Sequence, residues 1–488
     1  MLQTGFDNEK YLHDQSARIR ERIAQFGGKL YLEFGGKLYD DYHASRVLPG
    51  FQPDSKLRML VQLREQAEMV IAIHAGDIEK NKIRGDLGIT YDRDVMRLID
   101  LFRELGLYVS SVVLTRYTDK PQVRVFEERL AARHVRVYRH YDIEDYPANI
   151  QRIVSPEGYG RNDYIETSRE LVVVTAPGPG SGKLATCLSQ LYHEHIRGVN
   201  AGYAKFETFP IWNLPLNHPV NLAYEAATAD LADVNMIDPF HLEAYGETTV
   251  NYNRDVEAFP VLETMFREIW GECPYKSPTD MGVNMAGNCI VDDDVCREAA
   301  RQEIVRRYLD GLADRKRGKA DDELVLRLEL LMKKAAISAD ARRVVEPALA
   351  KAAATGAPAA AIELPDGRIL TGKTSDLLGA SAALLVNALK ALGGISDSLD
   401  LISPVVLDPI RRLKTEALGS RNPRLHTDEV LIALSISAAT NPTAQLALDQ
   451  LPKLRGCDAH STVILSEVDA SVFRRLGVNL TCEAQYGN

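Results

Sequence analysis

The residues whose order suggests chemistry most directly run from Leu171 to Glu194, LVVVTAPGPGSGKLATCLSQLYHE. An apolar β-branched run enters a turn holding Gly178, Gly180, Ser181 and Gly182, followed by Lys183 and apolar residues at helical spacing. Strand, turn and helix in that order would aim backbone N–H groups and a positive helix end at an anion, with Lys183 as a point charge on the outer phosphates. The full phosphate-loop pattern is not met. Pro177 stands where its first glycine belongs and Leu184 where the magnesium-binding hydroxyl belongs, leaving Thr186 as the hydroxyl further along. The expected binding set is Gly178, Gly180, Ser181, Gly182, Lys183 and Thr186, holding a nucleotide such as ATP with Mg²⁺ or another phosphorylated small molecule. The competing reading is a tight turn that needs glycine for its backbone and carries an incidental lysine.

Phosphoryl chemistry also calls for carboxylates, and Asp238 (in VNMIDP) and Asp280 (in CPYKSPTDMG) join Lys183 as the expected catalytic residues. Asp292 to Asp294 in CIVDDD are further magnesium candidates, and Arg254, Asp255 and Lys276 offer anion or acid/base contacts. Asp40, Asp41, His43 and Arg46 suit either a substrate-grasping loop or helix capping. Zinc-peptidase chemistry is not supported, because Arg197 occupies the second histidine position of H-E-x-x-H counted from His193. His193 and His195 are two apart and point to different sides of a helix, so no metal site is expected there.

These residues must be positioned by a chain of 488 residues, long enough for two to four domains. Hydrophobic residues at 45% and charged residues at 26% are those of a globular protein, and no apolar run approaches membrane-spanning length. The six cysteines form no C-x-x-C pair, and the N-terminus lacks the basic-then-apolar order of a signal peptide. A cytoplasmic protein with reduced thiols is expected. A net charge of −10 argues against binding a nucleic-acid backbone. The expected partner is a small phosphorylated ligand, with a homo-oligomer also in view.

Asp7 should cap a first helix that Gly27 ends, and FGGKLY occurs twice, at 26–31 and 34–39, with a strand between. Helical stretches near 54–68, 92–106 and 121–133 then separate the apolar runs 69–75, 107–115 and 135–141, with 171–174 next in the series. That alternation implies βαβ units and a parallel Rossmann-like or P-loop-like sheet, with ligands beyond the carboxyl ends of its strands. Glu33, His74, Asp77, Arg116 and His140 would then share that edge. Residues 203–246, rich in proline and aromatics, read as a long ordered excursion over the sheet. The expected architecture is α/β and multidomain: a parallel α/β region over 1–246, a helical middle over 247–318, and an α/β domain over 319–488. In the last, Pro365-Asp366-Gly367 turns a hairpin, and 400–406 and 460–466 read as strands.

Three stretches, FGGKLYDDYHASRVLPGF, GYAKFETFPIWNLPLNHPVNLAYEAATADL and NYNRDVEAFPVLE, resemble a family of large uncharacterised bacterial proteins, some once labelled ATP-dependent peptidases. The resemblance spans essentially the whole chain and implies no established reaction or catalytic residue. In the tail, IELPDGRILTGKTSDLLGASAALLVNALKAL resembles the hairpin and helix that open the cytidine-deaminase-like fold. The zinc signature of that fold is absent, which implies a zinc-free domain used for packing, oligomerisation or shaping a cleft. The function expected is an enzyme acting on or with a phosphorylated small molecule; the alternative is a non-catalytic sensor of such a metabolite.

Overall fold

Apolar runs too uniform to have a wet side must be covered on both faces, and here they form a parallel sheet. The computed structural model describes residues 4–36, 38–39, 41–84 and 87–487. They divide into one unit over Thr4–Arg297 and a second from Glu298 onward.

The first unit contains β1 (Leu30–Phe34), β2 (Ala67–His74), β3 (Tyr108–Thr115), β4 (Arg136–Arg139), β5 (Leu171–Thr175), β6 (Gly202–Phe206) and β7 (Gly282–Val283). They lie in the order β7-β6-β1-β5-β2-β3-β4, every neighbouring pair parallel. Helix α1 (Asn8–Gln25) starts at Asp7, whose carboxylate accepts the Lys10 amide at 3.0 Å. It packs against β6, while α2 (Tyr91–Glu104) packs against β2 and β3. Helices α3 (Lys183–Ile196) and α4 (Asn253–Trp270) cover the sheet face that carries Tyr31, Val172, Val174 and Tyr203. Cys187, Leu188 and Leu191 of α3 meet Phe259, Leu262 and Phe266 of α4 in that core.

Two stretches differ from the sequence expectation here. Residues 203–246 begin as β6, a strand directly beside β1, because Tyr203, Lys205 and Glu207 alternate with Ala204, Phe206 and Thr208. Residues 247–297, expected in a separate helical middle, belong to the first unit: α4 fills its core and β7 extends its sheet.

In the second unit β8 (Ala359–Glu363) and β9 (Ile369–Lys373) form the expected antiparallel hairpin, with Gly367 at φ +83° in its turn. With β10 (Asp458–Ser461) and β11 (Asn479–Cys482) they give a four-stranded sheet ordered β9-β8-β10-β11. Helix α5 (Ala380–Leu392) packs on the hairpin. The guanidinium of Arg342, 1% exposed, donates to Asp458, to the Asn479 carbonyl and to Thr481 at 2.7–3.2 Å, and so ties β10 to β11. The strand expected over 400–406 is instead a loop entering a helix at Pro404–Arg412. Ser403 caps it and Pro404 takes the first helical position, where a missing N–H costs nothing.

Packing around β6 leaves no room at its first residue. A Cβ on Gly202 would lie 2.0 Å from the Phe26 ring. Gly202→Ala is expected to cost about 1–3 kcal/mol in urea unfolding; a loss below a few tenths would show that Phe26 does not pack there.

Candidate functional site at the carboxyl edge of the sheet

A parallel sheet gathers all its strand ends on one edge, and a crevice opens where the connections leaving adjacent strands run in opposite directions. Because β5 lies between β1 and β2, the chain leaves β1 toward β2, β5 toward β6, and β2 and β6 outward. Topological switch points therefore fall between β1 and β6 and between β5 and β2. The glycine-rich turn after β5 lies at the second, and the helix that follows it crosses β1 toward the first.

Within that turn the three glycines have separate reasons. A Cβ on Gly178 would strike the Tyr91 hydroxyl at 2.2 Å, and one on Gly182 would meet Thr115 at 2.9 Å, so both are required by close packing. Gly180, at φ +75°, has nothing within 4 Å of where its Cβ would be and faces open space. Both hydroxyls turn inward: Ser181 donates to the Gly178 carbonyl at 3.0 Å, and Thr186 donates to the Gly182 carbonyl at 2.9 Å. Thr115 clamps the turn from β3 by donating to the Ser181 carbonyl at 2.8 Å. Gly182 (φ +87°) begins α3 without a side-chain cap, and Lys183, partly exposed, is its first residue.

Next to this turn the sheet register sets charges side by side. Glu33 on β1 is level with Val174 of β5 on one side and Lys205 of β6 on the other. One Glu33 oxygen accepts the Tyr203 hydroxyl at 2.7 Å. The Lys205 ammonium pairs with Glu207 at 2.8 Å and with Asp255 in the first turn of α4. Glu207 is 5% exposed, whereas the Lys205 and Asp255 side chains keep 22% and 20% of their surface, so the set opens to solvent on the Asp255 side. Burial pushes the Glu207 carboxyl up to about 7 even though Lys205 opposes the shift. Burial also acts on Asp255, yet Lys205 and a hydrogen bond from Glu207 win and hold it below the usual carboxylate range. Asp255, Glu207 and Glu33 together raise Lys205, which stays an ammonium ion. On α3 the buried Cys187 thiol is raised by burial and by Glu33, and lowered by Lys183.

The other expected residues lie elsewhere or are fully engaged. Asp238, buried, caps the helix Pro239–Tyr245 by accepting the Phe240 and His241 amides at 3.0 Å, and its other oxygen takes the Thr279 hydroxyl at 2.6 Å. Asp280 precedes β7 and accepts from the Tyr245 hydroxyl at 2.7 Å. Asp280 thus stands at the start of β7, three strand spacings, about 14 Å, from β5, and Asp238 is tied to its neighbour Thr279. His74 accepts the Gly76 amide at 2.8 Å, and Arg116 pairs with Asp142 at 2.9 Å. His140 is buried against the Asp163 carbonyl, and burial takes its imidazole down to about 4. Asp41 caps the short helix after it and pairs with Lys56 at 2.7 Å; Asp40 lies outside the described residues. Lys205 and Glu207 were not singled out by sequence. The available signal was a lysine and a glutamate at alternate positions of YAKFETF, an odd choice for a buried strand. Among the described residues no group of three or more His, Cys, Asp or Glu is placed to hold a metal ion.

Residues 4–336 match the family described as "Domain of unknown function DUF1846, N-terminal", and residues 340–488 match its C-terminal counterpart. The chain belongs to the DUF1846 family. It is similar to the UPF0371 protein of Corynebacterium efficiens, with 61% identity over 486 residues covering 99% of this chain and 98% of that one. The UPF0371 protein of Corynebacterium diphtheriae is 61% identical over 483 residues, covering 99% and 97%. That of Streptococcus thermophilus is 57% identical over 486, covering 100% and 98%. The N-terminal DUF1846 match contains the whole carboxyl-edge cluster.

The raised Glu207 carboxyl predicts a pH response for the stability of this chain. Between its ordinary value near 4.5 and about 7 the folded chain keeps a proton that the unfolded chain releases, so this group lowers stability as pH rises through that window. The difference in unfolding free energy between wild type and Glu207→Gln should therefore move by on the order of 3 kcal/mol in the variant's favour from pH 5 to pH 8. Urea melts at both pH values read it. Parallel pH profiles would show that Glu207 ionises normally.

Proposed function

We propose that the crevice beside the glycine-rich turn binds a phosphorylated small molecule and that the chain is an enzyme acting on it. The observation that carries this reading is the shared position of an uncapped helix start, Lys183 and the Lys205–Glu207–Asp255 set along one sheet edge. The free N–H groups of a helix's first turn and its positive dipole end favour a phosphate, and Lys183 adds a full charge beside them. Gly180 leaves space for the ligand to come close to the backbone. ATP with Mg²⁺ is one ligand of this class. Leu184 follows Lys183 where the hydroxyl usually given to magnesium belongs, so a phosphate held without the metal suits the loop better. In the second unit the hairpin and α5 support a zinc-free cytidine-deaminase-like reading.

A non-catalytic sensor is the second reading. It is favoured by the remoteness of Asp238 and Asp280, which leaves the loop without the carboxylates of ordinary phosphoryl transfer.

The phosphate site is tested by thermal and chemical melts with inorganic phosphate, ATP, GTP and sugar phosphates, with and without Mg²⁺. A ligand at a hundred times its Kd should stabilise the wild type by about 2.7 kcal/mol and Lys183→Ala much less. No shift with any of them would sink the phosphate site, and an equal shift in the variant would move it away from Lys183.

A further inference from the structure

The helix Pro404–Arg412 of the second unit packs along one stripe and leaves its neighbouring stripe free. Leu407 and Ile410 join Val430 and Ala433 of the helix Thr427–Ala438 in one apolar cluster. Lys414, in the turn that follows, is buried, with its ammonium on the Glu429 carboxylate at 2.7 Å and the Arg424 carbonyl at 2.6 Å. The neighbouring stripe is Asp408, Arg411, Arg412 and Thr415, at the i, i+3, i+4, i+7 spacing that sets side chains in one row. Together with Pro423, on the loop that returns beside them, these four line a cavity of about 390 Å³. That is the size of a small-molecule site.

An acid three and four residues before an arginine ordinarily pairs with it, and the stripe would then be a solvated helix face. Here the charges stay apart. Among the described residues neither the Asp408 carboxylate nor the Arg411 guanidinium has an ion-pair or hydrogen-bond partner, and Arg411 Nε is withdrawn from solvent without an acceptor. Arg412 has only a loose contact with Glu416 at 3.6 Å, in which both side chains stand in solvent. The backbone beside them is irregular as well. Leu413–Ala417 form a π-helical turn, with the Leu418 amide reaching back to the Leu413 carbonyl at 2.9 Å, and such turns recur where a site is built. The Thr415 hydroxyl donates to the Arg411 carbonyl at 2.9 Å, so it shapes the wall rather than offering a donor. A half-buried guanidinium with an unanswered donor is costly, and an anion from outside the chain offsets that cost.

From these charges we propose that the cavity binds a free acidic α-amino acid, with its two carboxylates on Arg411 and Arg412 and its ammonium on Asp408. Two guanidinium groups and one carboxylate are the complement of two carboxylates and one ammonium, so wall and ligand cancel charge for charge. The planar fork of arginine matches a carboxylate in shape as well as in sign. A phosphate would meet Asp408 as a like charge, and a neutral amino acid would leave one arginine unanswered. The site lies in the second unit, goes beyond the phosphate reading and stands or falls apart from it.

Isothermal titration calorimetry of the full-length protein with L-glutamate and L-aspartate reads the site. Glutarate, which lacks the ammonium, and L-glutamine, which lacks the second carboxylate, read its selectivity. One of the two acidic amino acids should bind, and glutarate and glutamine should bind at least about tenfold more weakly, the worth of one charge-assisted contact. Arg411→Ala should weaken binding by at least as much, and Arg411→Lys, which keeps the charge without the fork, should recover part of it. Asp408→Asn should abolish the preference for the amino acid over glutarate, a change of selectivity that loss of folding cannot imitate; thermal melts check that each variant folds. No heat with either acidic amino acid at millimolar concentration overturns the site. Glutarate or inorganic phosphate binding wild type as tightly as the amino acid overturns the ligand class, and binding unchanged in Arg411→Ala overturns the cavity as its place.

Discussion

The constraint on which the first unit depends is the hydrogen-bonded insertion of β5 between β1 and β2. Leu171 to Val174 pair with Leu30 to Glu33 on one side, and Leu171 to Thr175 with Ala67 to Ile71 on the other. Once that register is set, the turn after β5 can emerge only beside the end of β1, and α3 must cross β1 to deliver the chain to β6. The proximity of Lys183 to Glu33 and, one strand further, to Lys205 is therefore a property of backbone pairing. A slip of one residue in β1 would turn Tyr31 and Glu33 to the opposite face and dissolve the cluster.

Electrostatics then imposes a second layer. Lys205 can remain buried only while carboxylates surround it, and the fold draws these from three places: β1, the end of β6, and the first turn of α4. The start of α4 does for Asp255 what helix starts do for acids generally, favouring the ionised form. Glu207 lacks such help and carries the cost of burial. The same network therefore holds one carboxylate charged and pushes its neighbour toward neutrality, because Lys205 and a hydrogen bond from Glu207 outweigh burial at Asp255 while burial outweighs Lys205 at Glu207.

Much of this frame was legible in the chain. The FGGKLY repeat located β1, the alternation of apolar runs with helical stretches located β2 to β5, and Asp7 and Gly367 fell where capping and turn chemistry put them. The two strands beyond β1 were not legible: β6 hides in a proline-rich neighbourhood, and β7 is two residues long, too short for any period. The site divided in the same way. The turn announces itself because local conformation demands glycine, whereas Lys205 and Glu207 matter only through partners 50 residues away on α4 and a strand away on β1. Asp238 illustrates the converse, a suggestive local motif whose four acceptor positions turn out to tie two short helices together.

The glycines sharpen what kind of loop this is. A turn selected only for shape would explain Gly178 against Tyr91 and Gly182 against Thr115, and would orient Ser181 and Thr186 inward, all of which is seen. It would not require the outer part of the turn to be bare. Gly180 has a left-handed backbone and nothing near it, and the α3 start beside it has no side-chain cap. Asparagine or aspartate tolerates such a backbone and would also offer an acceptor to the open amides. Glycine instead leaves those amides uncovered next to Lys183, where a negatively charged group from outside the chain can reach them. The inner half of the turn is thus accounted for by packing alone, and the outer half, bare at Gly180, is the part that packing leaves open.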